Sequence, residues 1–120
     1  MLVLALAAAG CHRPAADVPG ARVDVQVEPQ PSRVGPAAVT VALGGPGGAP
    51  LTGASVRLEG NMSHAGMVPV FADATEVAPG RYRGPFEFTM SGDWLITVAA
   101  RLPDGRTLER HVAVLGVRPR

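Results

Sequence analysis

From Arg22 to Glu28 the chain reads RVDVQVE, with Val23, Val25 and Val27 on one side and polar residues on the other. Apolar side chains at every second position line one face of a half-buried strand, whereas a helix would scatter them. The run AAVTVAL repeats the alternation through Val39, Val41 and Leu43, and GGPGGAP over residues 44–50 breaks regular structure into an irregular connection. A third strand is predicted from about Gly53, with Ala54, Val56 and Leu58 facing inward until Gly60 ends it. The segment from Asn61 to Pro69 has no clean period and reads as a loop. Val70 with Phe71, and then Thr75 to Val77, read as two short edge strands.

Further on, Pro79 and Gly80 make a turn, and a strand follows through Tyr82, Phe86 and Phe88. Pro85 inside it requires a bulge or an edge, because proline has no ladder donor. After a turn near Ser91 and Gly92, the next strand presents Trp94, Ile96, Val98 and Ala100 together. The PDG turn at residues 103–105 leads into a last strand bearing Leu108, Val112 and Val114. Six or seven short strands, each with one apolar face, predict an all-β immunoglobulin-like Greek-key β-sandwich, with a small barrel as the alternative.

Composition narrows this picture. With 15 Gly and 12 Pro in 120 residues, turns are favoured over long helices, and the length suits one small domain. The single Cys excludes an intramolecular disulfide and multi-cysteine zinc or iron–sulfur sites. Without a disulfide, Tyr82, Phe86, Phe88 and Trp94 must supply much of the packing. The formal net charge is +1. Arg81, Arg83, Arg101, Arg106, Arg110, Arg118 and Arg120 crowd the second half, but acidic and apolar residues interrupt them and few aromatics offer stacking, so nucleic acid is not an expected partner.

The amino terminus carries an apolar run from Leu2 to Ala9, far shorter than the roughly 20 residues a spanning helix needs, and suited to the core of an export signal. Its end, LAAAGC, resembles a bacterial lipoprotein signal through Ala8, Ala9, Gly10 and Cys11. The resemblance implies cleavage before Cys11 and lipid attachment to it, and hence a membrane-anchored lipoprotein of the cell envelope, facing the periplasm or extracytoplasmic side. Residues 1–10 would be the signal peptide, 11–20 a lipid-attached tether and 21–120 the sandwich domain.

The unusual side chains concentrate in NMSHAGM, which contains Met62, His64 and Met67, with Met90 following a later strand. Thioethers are soft ligands suited to Cu(I), and imidazole suits copper in either state, so this set points to copper more than zinc. The same residues also suit packing and surface display, since Met fills irregular cores and a loop His is commonly solvated. Ser63 beside His64 has no acid at diagnostic spacing, GGPGG lacks the Lys-Ser/Thr end of a phosphate loop, and Asp73 with Glu76 reads as a solvated edge. His111 alternates onto the face opposite Val112 and is expected at the surface. No catalytic site and no small-molecule substrate are expected.

The stretch Leu58 to Val98, with NMSHAGMVPV and then PGRYRGPFEFTMSGDWLITVAA, resembles the YtkA-like or FixH-like family of small exported immunoglobulin-like domains. The matching residues are Met62, His64 and Met67 in the loop, Gly80 and Tyr82, then Met90, Gly92 and Trp94. The resemblance covers about residues 35–115. It implies an accessory role in copper delivery or cytochrome oxidase assembly, with Met62, His64, Met67 and Met90 as ligands and an envelope copper-handling protein as partner. FixH itself has a transmembrane anchor, where this chain offers Cys11. A metal-free interaction or structural domain is the competing expectation.

Overall fold

The computed structural model describes residues 18–64 and 66–120. The expected signal segment, Cys11 and the tether up to residue 17 lie outside the described residues. Seven strands follow one another: β1 (Arg22–Glu28), β2 (Gly35–Gly44), β3 (Ser55–Asn61), β4 (Val70–Ala78), β5 (Arg81–Phe88), β6 (Gly92–Arg101) and β7 (Thr107–Val117). They are hydrogen-bonded in the spatial order β1-β2-β5-β4-β3-β6-β7, every pair antiparallel. The chain passes from one layer to the other between β2 and β3 and again between β5 and β6, giving the expected immunoglobulin-like Greek-key sandwich.

The layers are joined through β4. Its first half pairs with β3, as Val70 opposite Gly60 and Ala74 opposite Val56, while its second half pairs with β5, as Thr75 opposite Arg83 and Glu76 opposite Tyr82. The two short edge strands expected at 70–71 and 75–77 are therefore one strand that changes sheets. Gly84 permits the change, since a Cβ there would lie 2.5 Å from the Asp73 carbonyl oxygen. Beyond Arg83, β5 has lost its β4 partner, so Pro85 sits where no ladder donor is required on that side.

On the opposite seam, Val34 N–H donates to Arg118 O at 2.8 Å and Arg118 N–H to Ser32 O at 2.9 Å, a parallel bridge that nearly closes the sandwich into a barrel. Packing begins at Val18, which is buried in the core next to the start of β1.

Alternation works as the sequence predicts on β5, where Tyr82, Phe86 and Phe88 are buried and Arg81, Arg83 and Glu87 exposed. On β6 it buries Trp94, Ile96, Val98 and Ala100. On β7, Leu108 and Val114 are buried, Val112 only half so, Leu115 faces out, and a register shift opposite Gly92 and Trp94 brings Val117 rather than Gly116 inward.

The expectation that Gly60 ends β3 is corrected: the strand continues to Asn61, and Gly60 sits inside it beneath two rings. A Cβ on Gly60 would fall 3.2 Å from Trp94 Cε3 and well inside contact with the end of the Phe86 ring. Phe86, Phe88 and Trp94 form an edge-to-face triangle with centroids 5.1, 5.4 and 6.0 Å apart, the arrangement aromatic quadrupoles favour.

Candidate functional site

The strand registers give the sandwich two poles. At one, β2 begins at Gly35 opposite Phe88, and the short turn 89–91 joins β5 to β6. Asn61, the last residue of β3, lies opposite Leu95 near the start of β6, so the 62–69 loop leaves from the same pole. At the other pole are the 45–54 connection, the turn at Pro79 and Gly80, the 102–106 turn and the entry of the chain, where Gly20 lies against Pro46.

Met62, His64, Met67 and Met90 therefore share one pole, although Met90 is far from the others in sequence. Met62 reaches the first residue of β6, beside the 89–91 turn. A Cβ on Gly92 would come within 2.9 Å of Met62 Cε, which means that the Met62 methyl rests on the Gly92 backbone, two residues from Met90. Met62 and Met67 are half-buried and packed against the core, while Met90 is 47% exposed. His64 is exposed, and its carbonyl rather than its ring closes the loop, accepting the Met67 N–H at 3.4 Å with Gly66 at φ 81°.

The floor of this pole is rigid. Trp94 is 2% exposed, and its indole N–H donates to the Met90 carbonyl at 2.9 Å. The turn displaying the Met90 thioether is thus tied to the aromatic triangle, a role beyond the core packing expected of Trp94. Asp93 adds a second tie, accepting the Gly116 N–H at 2.8 Å and pinning the β7 irregularity beside Gly92. The sequence signal for both was the SGDW turn, where a carboxylate and an indole follow a glycine.

Chemically, the pole carries three thioethers and one imidazole, groups of the kind that ligate soft cations. Among the described residues there is no group of three or more His, Cys, Asp or Glu that could hold a metal. His111 is exposed, as expected, with Nδ1 3.0 Å from Thr97 Oγ1 and Nε2 3.3 Å from Glu109 Oε1. Cys11, the expected lipid-attachment residue, lies outside the described residues.

The perturbed titratable groups sit at the other pole and secure its connection. The Glu76 carboxylate accepts the Gly80 N–H at 3.0 Å and the Gly53 N–H at 3.1 Å, and these bonds hold its carboxyl below the usual range. Tyr82 donates its hydroxyl to Leu51 O at 2.8 Å and accepts the Ala54 N–H at 3.0 Å, while burial pushes its phenol up.

Comparison with known proteins bears on the whole arrangement. A family model described as YtkA-like matches residues 16–99. No curated protein matches the chain. Among solved structures, one of murine CRIg is similar over 83% of this chain and 98% of that one, at 14% identity and a TM-score of 0.44.

Proposed function

The chain belongs to the YtkA-like family, a small accessory domain rather than an enzyme, and from that premise we propose that it is exported, held at the membrane through Cys11, and carries copper. Met62, Met67 and Met90 supply thioethers and His64 an imidazole. Two or three such soft ligands hold Cu(I) while leaving a position through which a partner takes the ion during cuproenzyme assembly, that of cytochrome oxidase included. The observation that carries this reading is the contact of Met62 with Gly92, which brings one thioether to the turn that displays another. The half-buried setting of Met62 and Met67 adds a low-dielectric wall, and the exposure of Met90 and His64 gives access.

The test is a Cu(I) titration of the full chain, with Cys11→Ser to remove the thiol, against a competing chelator. Wild type is expected to take one equivalent. Combined Met62→Leu, His64→Ala and Met67→Leu substitutions, which keep apolar volume in the half-buried positions, are expected to weaken binding at least tenfold, and unchanged affinity refutes the site. Copper at about 100 times its dissociation constant should stabilise wild type by roughly 2.7 kcal/mol. For the anchor, mass spectrometry of the membrane fraction is expected to find a lipidated Cys11 terminus; an intact Met1 on soluble protein refutes it.

A second reading, a metal-free domain that holds an envelope partner, is favoured by the exposure of Val68 at 78% and Leu115 at 73%. Crosslinking to a partner that survives both metal removal and loss of the Met and His side chains would support it over the first.

A further inference from the structure

The bridge that closes the seam places two like charges side by side. Arg33 and Arg118 are direct partners across it, and paired residues of neighbouring strands stand about 5 Å apart with side chains on the same face. Both are exposed, with Ser32 and Val117 turned inward beside them. Arg120, two residues beyond Arg118, lies over Gly35, where a Cβ would be 3.9 Å from its Nη2. Gly35 is itself two residues beyond Arg33, so three arginines gather at this end of the seam, Arg33 and Arg118 on one face and Arg120 beside them.

Among the described residues none of the three has an ion-pair partner; the ion pairs lie elsewhere, at Arg83 with Glu28, Arg106 with Asp104 and His111 with Glu109. Asp93, the acid beside Gly116, is engaged with its backbone. Like charges directly opposite one another weaken a sheet, and a local conflict of this kind marks a place where something other than the fold sets the residues. Leu115, 73% exposed, lies three residues before Arg118, and Met90 is two residues after Phe88, which pairs with Gly35.

The geometry points to a docking strip, Arg33, Arg118 and Arg120 with Leu115 at its edge, that receives a carboxylate-rich segment of a partner protein. Arg guanidinium forks match carboxylates in pairs, and an exposed apolar neighbour adds area that a partner can cover. On the anchor proposed at Cys11, on which this choice rests, an anionic membrane is the poorer occupant, because the described chain enters the fold at Val18 and Gly20, at the pole opposite the strip. Charge complementarity of this kind steers encounter and makes binding salt-dependent. The strip does not depend on copper.

The test uses the full chain with Cys11→Ser, kept in chelator, and a fluorescein-labelled twelve-residue peptide of alternating Glu and Leu. Binding is expected to weaken severalfold from low to high salt, and at least tenfold in Arg33→Ala/Arg118→Ala/Arg120→Ala. Arg22→Ala/Arg81→Ala, at the opposite pole, should bind as wild type. The triple variant should melt at or above the wild-type temperature, because only exposed side chains are lost and the bridge itself is backbone. Peptide binding by the triple variant within twofold of wild type overturns the strip. Vesicles containing phosphatidylglycerol that respond to the three substitutions as strongly as the peptide, or more so, overturn its assignment to a protein segment. Because chelator is present throughout, failure of the copper reading leaves this outcome intact, and the copper titration repeated on the triple variant is expected to be unchanged.

Discussion

Gly60→Ala adds one methyl group where β3 passes beneath the Phe86 and Trp94 rings. The new Cβ would sit 3.0 Å from Phe86 Cε2 and 3.2 Å from Trp94 Cε3, with Phe86 Cζ closer still. The backbone gains from the exchange, since Ala restricts the unfolded chain and stabilises by about 0.4–1 kcal/mol where its conformation is allowed. Overpacking opposes this at about 1–3 kcal/mol, because Phe86 and Trp94 are only 3% and 2% exposed and are packed edge-to-face on one another. The clash wins, leaving a net loss of about 1–2 kcal/mol.

Phe86→Leu removes the offending ring end and costs about 1–2 kcal/mol through its lost edge-to-face partners. In the double variant the Phe86 contact has gone, while the milder Trp94 contact and the backbone gain from Ala remain and offset one another, so its loss should be close to that of Phe86→Leu alone, a coupling of about 1 kcal/mol or more. Urea unfolding followed by the fluorescence of Trp94, the only tryptophan, measures all four corners. A Gly60→Ala variant within about 0.5 kcal/mol of wild type, or additivity within the same margin, refutes the account of why β3 carries a glycine.

Tyr82→Phe leaves Leu51 O and the Ala54 N–H without their partner and should cost about 1–3 kcal/mol. Burial raises the phenol above its ordinary value of 10.0, so its contribution to stability is complete below that pH and lost as pH rises through the higher folded value; alkaline melts of the Phe variant should lack this decline. Glu76 runs the other way. The Gly80 and Gly53 N–H groups lower it from 4.5, so its contribution is complete above that pH and lost as pH falls through the lower folded value. Acid unfolding of Glu76→Gln should accordingly show a shallower acid limb, and an unchanged limb removes Glu76 from the account. Gly84→Ala should push β4 off β5 at Asp73, costing about 1–3 kcal/mol and speeding amide exchange in β4 before the other strands; uniform exchange would refute a local effect.

The succession of strands along the chain and their inward faces were legible because alternation is a local signal. Val23, Val25 and Val27 declare a face whatever the strand pairs with, and so do Trp94, Ile96, Val98 and Ala100. The failures fall where a residue answers to something distant. Gly60 reads as a terminator because glycine often ends a strand, yet its cause is a ring 26 positions further along the chain, at Phe86. Between Phe71 and Thr75 the strand does not stop: Val70, Ala72 and Ala74 keep the inward alternation with small side chains that signal weakly, and from Thr75, where β4 leaves the side of β3 for that of β5, its residues are all exposed.

The pole residues divide along the same line. Met62, His64, Met67 and Met90 were visible as rare side chains, and composition alone carried them. That Met62 would rest on Gly92 follows from β3 pairing with β6, a relation no local spacing encodes. Arg118 and Arg120 were the reverse case, visible among the arginines of the second half but interrupted in sequence by apolar and acidic residues, and nothing local ties Arg33 to them. Interruption along a strand is what alternation produces: Val117 separates Arg118 from Leu115 by turning inward, and Arg33 reaches the same face from the far end of the chain through a two-bond bridge. Charge patches on β-proteins are therefore better sought by summing every second residue across paired strands than by scanning for runs.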